Sequence, residues 1–346
     1  MKNNNKLSKV AENVLAMVED GLKNDELPMW TQSWNGAGSN IPINYATKKA
    51  YNGLNCYLTW VAMENEYKHN YWLTYNQIIQ MMKLKKTKKG LVTEDGKVFK
   101  GKILKSLSDG KQKASAVEFW TIKYKLKDKW KTFTKAQYEK AIKNGTHTEE
   151  DFYKYWGIGG IYNVFNIEQT NLPLPKPKKR KKYKVTDSEK LFDEIMEGFE
   201  GSPELEKIKM PYGSSPHYIP SKHKIVMPLM TQYQSKNRDK GHLSWFKTAS
   251  HEAVHSSGHE SVLGRDGIIN VGEWEGHKER YATEELIAEM GASMIMDWYG
   301  FNYKETIQNT QAYIKGWLGR IKEDPNTLID AMRHSNRAVG RILNIK

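Results

Sequence analysis

Apolar residues recur along this chain at both helical and strand spacing. Residues 7–22 carry an apolar stripe with the period of an amphipathic helix, and further helices are expected around residues 53–66 and 74–83. Runs rich in β-branched and aromatic residues predict strands around residues 116–126 and 161–167. This mixture of helices and strands predicts an α+β fold. The stripe of the first helix consists of Leu7, Val10, Val14, Leu15, Val18 and Leu22.

The sequences of two short segments predict a β-hairpin and an edge strand. Leu91 to Val98 have the pattern of a β-hairpin, with Asp95-Gly96 as the turn. The segment from Lys224 to Pro228 is a short apolar strand that ends in proline, which suits an edge position. Such an edge can bind an extended peptide through added main-chain hydrogen bonds. An ordinary core strand is the equal alternative.

Charge divides the chain unevenly. Residues 1–170 carry 27 lysines and no arginine against 17 acidic residues, whereas the residues after 190 carry 19 basic against 21 acidic side chains. Between them, residues 171–190 carry 8 basic against 2 acidic side chains. A basic half of this kind is typical of proteins that bind polyanions, above all nucleic acid. We therefore expect two domains, residues 1–170 and 189–346, joined by a linker at 171–188.

The predicted linker is rich in proline and lysine. Three alternating prolines lie between Leu172 and Pro177, and they impose an extended, semi-rigid spacer. The basic run that follows, up to Lys182, either contacts phosphates or forms a solvated tether.

Composition indicates the cellular environment of the protein. With 38% hydrophobic residues and no apolar run long enough to cross a bilayer, we expect a globular protein without membrane contact. No apolar signal core follows Met1, and Cys56 is the one cysteine of the chain, so no internal disulfide is expected. These features together predict a cytoplasmic location.

The segment from His251 to His255 reads H-E-A-V-H, which is the minimal signature of a zinc peptidase. On a helix the two imidazoles project from one face and can bind one metal ion, while Glu252 lies about 100° further round. The alternative is an amphipathic helix whose histidines are simply half-buried. The extension that would supply a third histidine fails, because Ser261 occupies its position and His259 falls two residues short of it.

A catalytic zinc site needs a third protein ligand. The segment from Tyr281 to Ala292 predicts a second helix, with Glu285 and Glu289 one turn apart on one face. We expect Glu285 to bind the metal and Glu289 to orient a ligating histidine, as in the glutamate-ligand zinc peptidases. Glu284, turned by about 100°, is the second candidate ligand. A solvated acidic face is the alternative.

These residues predict a hydrolytic site with one Zn²⁺ ion. The metal would lower the pKa of a water molecule and polarise the scissile carbonyl, and Glu252 would take the proton and pass it to the leaving amine. Tyr218 and Tyr281 could stabilise an oxyanion, although a packing role is the more ordinary expectation for both.

The basic half of the chain is also rich in aromatic residues. Flat rings among lysines are typical of proteins that bind single-stranded nucleic acid, because bases stack on rings and phosphates pair with cations. We expect two or three rings to act in this way and most others, Trp72 in particular, to be buried. Lys83 to Lys89 include five lysines and predict a basic loop, which either follows a phosphate backbone or is a solvated run. The rings are Trp30, Trp34, Tyr45, Tyr51, Tyr71, Trp72, Tyr75, Trp120, Tyr124 and Trp130.

Five segments resemble the landmarks of one known family. The first three are similar to the N-terminal landmarks of the ArdC-type antirestriction proteins, and the last two resemble the metallopeptidase half of that family. The segments occur in the family's order, but a lysine-rich insertion at residues 97–157 departs from its pattern. They are residues 44–55, 72–77, 162–169, 251–259 and 281–289.

The resemblance implies an N-terminal domain that binds single-stranded DNA and a zincin-like, gluzincin-type C-terminal domain. Such proteins are encoded on plasmids, phages and other mobile elements and shield incoming DNA from host restriction; the peptidase half resembles enzymes that cut DNA-bound proteins. One hypothesis is a DNA-tethered metallopeptidase, which the intact Glu252 favours. The other is a shield that coats the strand and has a structural or vestigial metal site. The candidate DNA-binding residues are Lys48, Lys49, Tyr51, Asn52, Asn55, Lys85, Lys86, Lys88 and Lys89.

Overall fold

A computed structural model describes most of the chain. The described residues are 8–23, 41–105, 113–128, 131–176, 183–233, 237–269, 277–301, 324 and 326–345. Trp30, Trp34, Trp130 and the basic end of the predicted linker lie outside them. The described part groups into two compact units, one of Leu73–Phe165 with Gln169–Leu172 and one of the remaining residues. The predicted boundaries at 170 and 189 stay a prediction.

The first half of the chain combines short helices with a mixed sheet. Its elements are α1 (Lys9–Lys23), β1 (Ile43–Asn44), α2 (Leu58–Glu64), β2 (Tyr71–Thr74), α3 (Tyr75–Met81), β3 (Lys85–Thr87), β4 (Gly90–Val92), β5 (Ser115–Leu126), β6 (Thr132–Phe133), α4 (Lys135–Lys143) and β7 (Phe152–Asn166). Five strands form one sheet in the order β1-β2-β7-β5-β6. Thr74 and Gln77 form a capping box that fixes the start of α3, and Trp72 just before it is buried, which confirms its predicted core position.

The lysine run that was expected to be a loop is part of a β-hairpin. Lys85–Thr87 form β3, which pairs antiparallel with β4. Lys88 and Lys89 form the turn, and Gly90, which begins β4, has a φ of 107°. The loop expectation is therefore wrong for Lys85 and Lys86, whereas Lys88 and Lys89 do lie in the turn between the strands. The predicted hairpin beyond it is confirmed, because Val92 and Val98 form an antiparallel bridge around the turn that contains Gly96.

The second half of the chain has a small sheet and a layer of helices. Its elements are α5 (Ser188–Gly198), β8 (Glu204–Ile208), β9 (His217–Ile219), β10 (Lys224–Pro228), α6 (Arg238–Ser256), α7 (Asp266–Ile269), α8 (His277–Trp298) and α9 (Asn326–Ile342). β10 lies between β8, to which it is parallel, and β9, to which it is antiparallel. The edge position predicted for β10 is therefore wrong, and the core-strand alternative is confirmed. Among the described helices, none has both the length and the apolar character that crossing a bilayer requires.

α6 and α8 approach each other closely where the candidate metal ligands lie. Trp245 Nε1 donates a hydrogen bond of 2.8 Å to the Pro228 carbonyl and so ties α6 to β10. A Cβ atom at Gly291 of α8 would lie 2.7 Å from Val254 Cγ2 of α6. On its other side α8 packs against α9, where Ser335 Oγ donates to the Ile287 carbonyl at 2.9 Å. Glycine at position 291 thus sets how near the two helices come.

Gly291→Ala is expected to lower the free energy of unfolding by about 1–3 kcal/mol, because the added methyl group overpacks against Val254. Urea unfolding measures the change. Gly340→Ala in α9 is the matched control; its Cβ would meet nothing within 4 Å, so a gain of roughly 0.4–1 kcal/mol is expected. The Gly291→Ala/Val254→Ala double variant should lose less unfolding free energy than the sum of the losses in the two single variants. Equal stability of the Gly291→Ala and Gly340→Ala variants would contradict the close approach of α6 and α8.

Candidate metal centre

α6 positions both histidines of the H-E-A-V-H segment. The helix begins at Asn237, whose side chain accepts a hydrogen bond from the Lys240 amide, and it ends just after the second histidine. His251 and His255 lie one turn apart, and their Nε2 atoms are 3.0 Å apart. Two imidazole nitrogens are thereby directed at one point beside α6.

α8 brings a carboxylate to the same point. Glu285 Oε2 lies 3.5 Å from His251 Nε2, and Glu285 Oε1 lies 3.3 Å from His255 Nε2. Among the described residues, these three side chains form the group whose ligand atoms could hold a metal ion, all within 4.8 Å of one another. Ligands of a tetrahedral ion with bonds of about 2.0–2.1 Å are roughly 3.3 Å apart, which is close to the 3.0, 3.3 and 3.5 Å between these atoms. The donor set of two histidines and one glutamate therefore fits Zn²⁺.

Glu284 lies on the far side of His255 rather than among these three ligands. It is 2% exposed, and Arg265 holds both of its oxygens, with Nε at 2.9 Å and Nη2 at 2.5 Å. Its Oε1 also lies 3.3 Å from His255 Nδ1. Burial would raise the pKa of Glu284, but Arg265 and His255 outweigh burial and hold that pKa below its ordinary value. Glu284 is thus placed to orient the His255 ring.

Glu289 lies beside the other histidine. Its Oε2 is 3.6 Å from His251 Nδ1, and its Oε1 accepts a hydrogen bond of 2.5 Å from Lys247 Nζ. A carboxylate in this position can fix the ring of a ligating histidine. Lys247 and Arg265 were not identified from the sequence, because neither belongs to a motif. Lys247 lies one turn before His251 on α6, and Arg265 lies just before α7.

The site has more carboxylates than cations. Glu252, Glu284, Glu285 and Glu289 face Lys247 and Arg265, which leaves two formal negative charges while both imidazoles are neutral. Burial disfavours the charged form of His251, but Glu285 and Glu289 outweigh burial and raise the pKa of His251 to about 10. Burial likewise would raise the pKa of Glu285, yet the two histidines hold it well below its ordinary value. This field favours a divalent cation at the Nε2 atoms.

Glu252 and Tyr281 lie at the same site. Glu252 is a buried residue in the helical turn that separates the two histidines. Burial raises the pKa of Tyr281 to about 12, and the charges of Glu285 and Glu252 add to the effect. Tyr281 is nevertheless half-exposed, so its hydroxyl can meet a substrate. The hydroxyl of Tyr218 is instead 2.8 Å from His223 Nδ1.

His259 lies apart from the three candidate ligands. Its ring stacks on that of His223, with centroids 4.0 Å apart. Burial lowers the pKa of His259, as does the neighbouring His223. The geometry therefore gives His259 a surface contact rather than a place in the metal group.

The candidate DNA-binding residues divide between the two compact units. In one unit, Lys48 Nζ lies 3.6 Å from the ring centroid of Tyr45, and Asn44 Nδ2 donates to the Tyr51 hydroxyl at 3.0 Å. Asn55 is buried, so its side chain is not offered to DNA. In the other unit, Lys86 Nζ donates to Asn76 Oδ1 at 2.8 Å. The exposed candidates are Lys48, Lys49, Asn52, Lys85, Lys86, Lys88 and Lys89.

The fold and this site define a two-domain protein with a zincin-like metallopeptidase domain. Residues 205–334 match the family of zincin-like metallopeptidases, and residues 4–165 match the N-terminal domain of the anti-restriction factor ArdC. The chain belongs to the ArdC-type antirestriction proteins.

Solved structures and curated relatives of this chain are remote in sequence. Crystal structures of the antirestriction protein ArdC from plasmid R388, metal-free and Mn(II)-bound, have a TM-score of 0.58 and identities of 19% and 20%; they cover 98% and 97% of this chain and 100% and 98% of theirs. A DNA primase TraC of Escherichia coli is 24% identical over 322 residues, which is 91% of this chain but 18% of TraC. The chain thus spans less than a fifth of that relative. An uncharacterized protein of Sinorhizobium fredii, y4eC, is 23% identical over 336 residues, and the match covers 93% of this chain and 86% of y4eC.

Proposed function

We propose that this protein is a zinc-dependent peptidase that is held on single-stranded DNA and cleaves proteins associated with that DNA. The observation that carries the proposal is the group of His251, His255 and Glu285, with Glu252 between the histidines. Three protein ligands and one position for water characterise catalytic zinc sites, whereas four protein ligands close a structural site. The side chains of His251 and Glu285 are each 20% exposed, so a substrate can reach them.

The side chains around the centre have separate chemical roles in this proposal. A bound Zn²⁺ ion would polarise the scissile carbonyl and acidify a water molecule. Glu252 accepts the proton of the attacking water and gives it to the leaving amine. Glu284 and Glu289 face the two imidazoles from their Nδ1 sides, which keeps both Nε2 atoms directed at Glu285. Tyr281 retains its proton at neutral pH and can donate a hydrogen bond to the developing oxyanion.

The edge of the small sheet next to α6 offers a place for an extended peptide. Among the described strands, β9 pairs on one side with β10, and it packs against α6. A peptide can add to the other side of β9 through main-chain hydrogen bonds. We therefore assign the peptide-binding edge to β9 in place of β10.

Removal of the metal is expected to abolish cleavage. The substrate is a single-stranded-DNA-binding protein loaded on an oligonucleotide, incubated with the full-length chain and resolved on a gel. A chelator should stop cleavage and added Zn²⁺ should restore it, because the site then regains its Lewis acid. The same substrate without DNA should be cut more slowly, since tethering raises the effective concentration. Cleavage that persists in chelator would contradict metal dependence.

The exposed lysines of the β3–β4 hairpin are proposed to contact phosphates. Replacing them by glutamine is expected to reduce the slope of log affinity against log salt by about 0.7 for each lysine that contacts a phosphate. Fluorescence anisotropy of a labelled oligothymidine at several salt concentrations measures the slope. The variant changes Lys85, Lys86, Lys88 and Lys89.

The control removes the same charge from exposed positions in the other unit. Its slope is expected to match that of the wild type. If both variants lower the slope equally, the effect is one of net charge and the hairpin is not the contact. The control changes Lys190, Lys209, Lys222 and Arg238 to glutamine.

A further inference from the structure

The two longest strands, β5 and β7, form an antiparallel pair with two different faces. On one face α4 covers a closed core in which Tyr124, Leu126 and Phe152 pack together. On the other face Tyr153, the next residue of β7, is 61% exposed. Successive side chains of a strand point to opposite faces, so the residues that alternate with this core lie on an open face.

Contacts between the side chains define the open face. Tyr153 and Tyr155 stack with ring centroids 6.1 Å apart and planes 20° apart. Lys125 lies directly opposite Tyr153, and Lys123 lies opposite Tyr155. Further along the pair, Phe119 and Tyr162 are both exposed and meet edge to face at 6.0 Å. The open face thus consists of Phe119, Thr121, Lys123, Lys125, Tyr153, Tyr155 and Tyr162.

Two glycines of β7, Gly157 and Gly159, lie in the middle of the open face. A Cβ atom at Gly157 would lie 3.2 Å from Lys123 Cγ, and a Cβ atom at Gly159 would lie 2.7 Å from Thr121 Cγ2. Both missing side chains would therefore point to this face, between the stacked tyrosines and the second pair of rings. Thr121, Lys123 and Phe119 occupy that space, so the two glycines let the side chains of the open face pack closely against the backbone of β7.

The charge on the open face is positive. β5 and β7 contain one acidic residue, Glu118, which is buried and accepts a hydrogen bond of 2.8 Å from Trp120 Nε1. Because Glu118 precedes Phe119 in the strand, it points to the opposite face. Rings and lysines therefore share the open face without a carboxylate from either strand. Aromatic rings together with lysines suit a polymer whose flat, apolar units are joined by anionic groups.

We propose that the open face is a stacking platform for single-stranded nucleic acid, on which bases lie against Tyr153 and Tyr155 while Lys123 and Lys125 pair with phosphates. The inference rests on the proposed DNA binding and names a surface that carries it. Stacking accepts every base, so binding is expected to be tolerant of sequence. Most of this surface belongs to residues 97–157, where the sequence departs from the ArdC pattern.

The test compares variants of the full-length chain in anisotropy titrations with a labelled oligothymidine. Tyr153→Ala/Tyr155→Ala is expected to bind at least about tenfold more weakly, with an unchanged salt slope. Tyr153→Phe/Tyr155→Phe should retain wild-type affinity, because stacking needs the ring and not the hydroxyl. Lys123→Gln/Lys125→Gln should lower the salt slope by about 1.4.

Trp156→Ala is the matched control. Trp156 is 67% exposed on the same strand but lies opposite Ile122 on the other face, so its loss should leave the affinity unchanged. Thermal melts establish that each variant is folded. Wild-type affinity in the Tyr→Ala pair, or equal weakening by Trp156→Ala, would overturn the platform and leave DNA binding elsewhere intact. A wild-type chain that binds no single-stranded DNA would overturn both proposals.

Discussion

Glu252→Gln is expected to lower peptidase turnover by a factor of about 100 to 10,000 while the protein still binds one equivalent of metal. Glutamine has the size of glutamate but cannot take a proton from the attacking water. The three candidate ligands, His251, His255 and Glu285, are unchanged, so the metal should remain. Turnover is followed on a protein loaded on single-stranded DNA, and metal content is measured by mass spectrometry on the same sample.

Glu260→Gln is the control for this experiment. Glu260 is exposed and lies eight positions beyond Glu252, outside the candidate site. The same chemical change there should leave both turnover and metal content at wild-type values. If Glu252→Gln retained metal and cleaved at the wild-type rate, the role of Glu252 as general base would be overturned. A wild-type chain that binds metal but cleaves none of the loaded protein would overturn the peptidase proposal and favour coating of the strand, with a metal site that is structural.

Arg265→Met is expected to lower the free energy of unfolding of the metal-free protein by about 3–5 kcal/mol. The change leaves the Glu284 carboxylate buried without its cation. It also removes the donors that Arg265 gives to Ser257 Oγ at 2.8 Å and to the Val254 carbonyl at 2.6 Å. Urea unfolding measures stability. Zinc affinity should fall as well, by roughly 10- to 100-fold, because Glu284 no longer holds the His255 ring in place.

Arg341→Met is the control that distinguishes the loss of a buried ion pair from the loss of an exposed arginine. Arg341 Nη1 lies 3.5 Å from Glu200 in an exposed pair, so its replacement should cost no more than about 1 kcal/mol. Adding Glu284→Gln to Arg265→Met should recover part of the lost stability, because the unpaired buried charge is gone. Equal stability of the two arginine variants would contradict the buried pair.

Much of the candidate metal centre could be predicted because its parts lie on two helices with regular spacing. The period of α6 alone brings His251 and His255 to one face, and the period of α8 separates Glu285 from Glu284. The choice between those two glutamates depends on how α8 is rotated against α6. That rotation depends on packing such as the contact of Gly291 with Val254, and no local pattern reports it.

The two wrong predictions, a loop at Lys85 and Lys86 and an edge position for β10, have the same physical cause. Both were based on local composition, which does not determine the conformation of the backbone or the order of strands in a sheet. Five lysines between 83 and 89 indicate exposure to solvent, but an exposed strand such as β3 satisfies that as well as a loop does. An apolar segment that ends in Pro228 has the same pattern at an edge or in the middle of a sheet. The partners that decide its place, β8 and β9, are set by the tertiary fold.

We propose that His251, His255 and Glu285 together hold one divalent ion. The most direct measurement is an anomalous difference map from crystals of the zinc-loaded protein, recorded on both sides of the zinc absorption edge. One peak is expected, about 2.0–2.1 Å from the Nε2 atoms of His251 and His255 and within about 2.2 Å of a Glu285 oxygen. A peak bonded to Glu284 or Glu289 in place of Glu285, or no peak between α6 and α8, would contradict this assignment of the ligands.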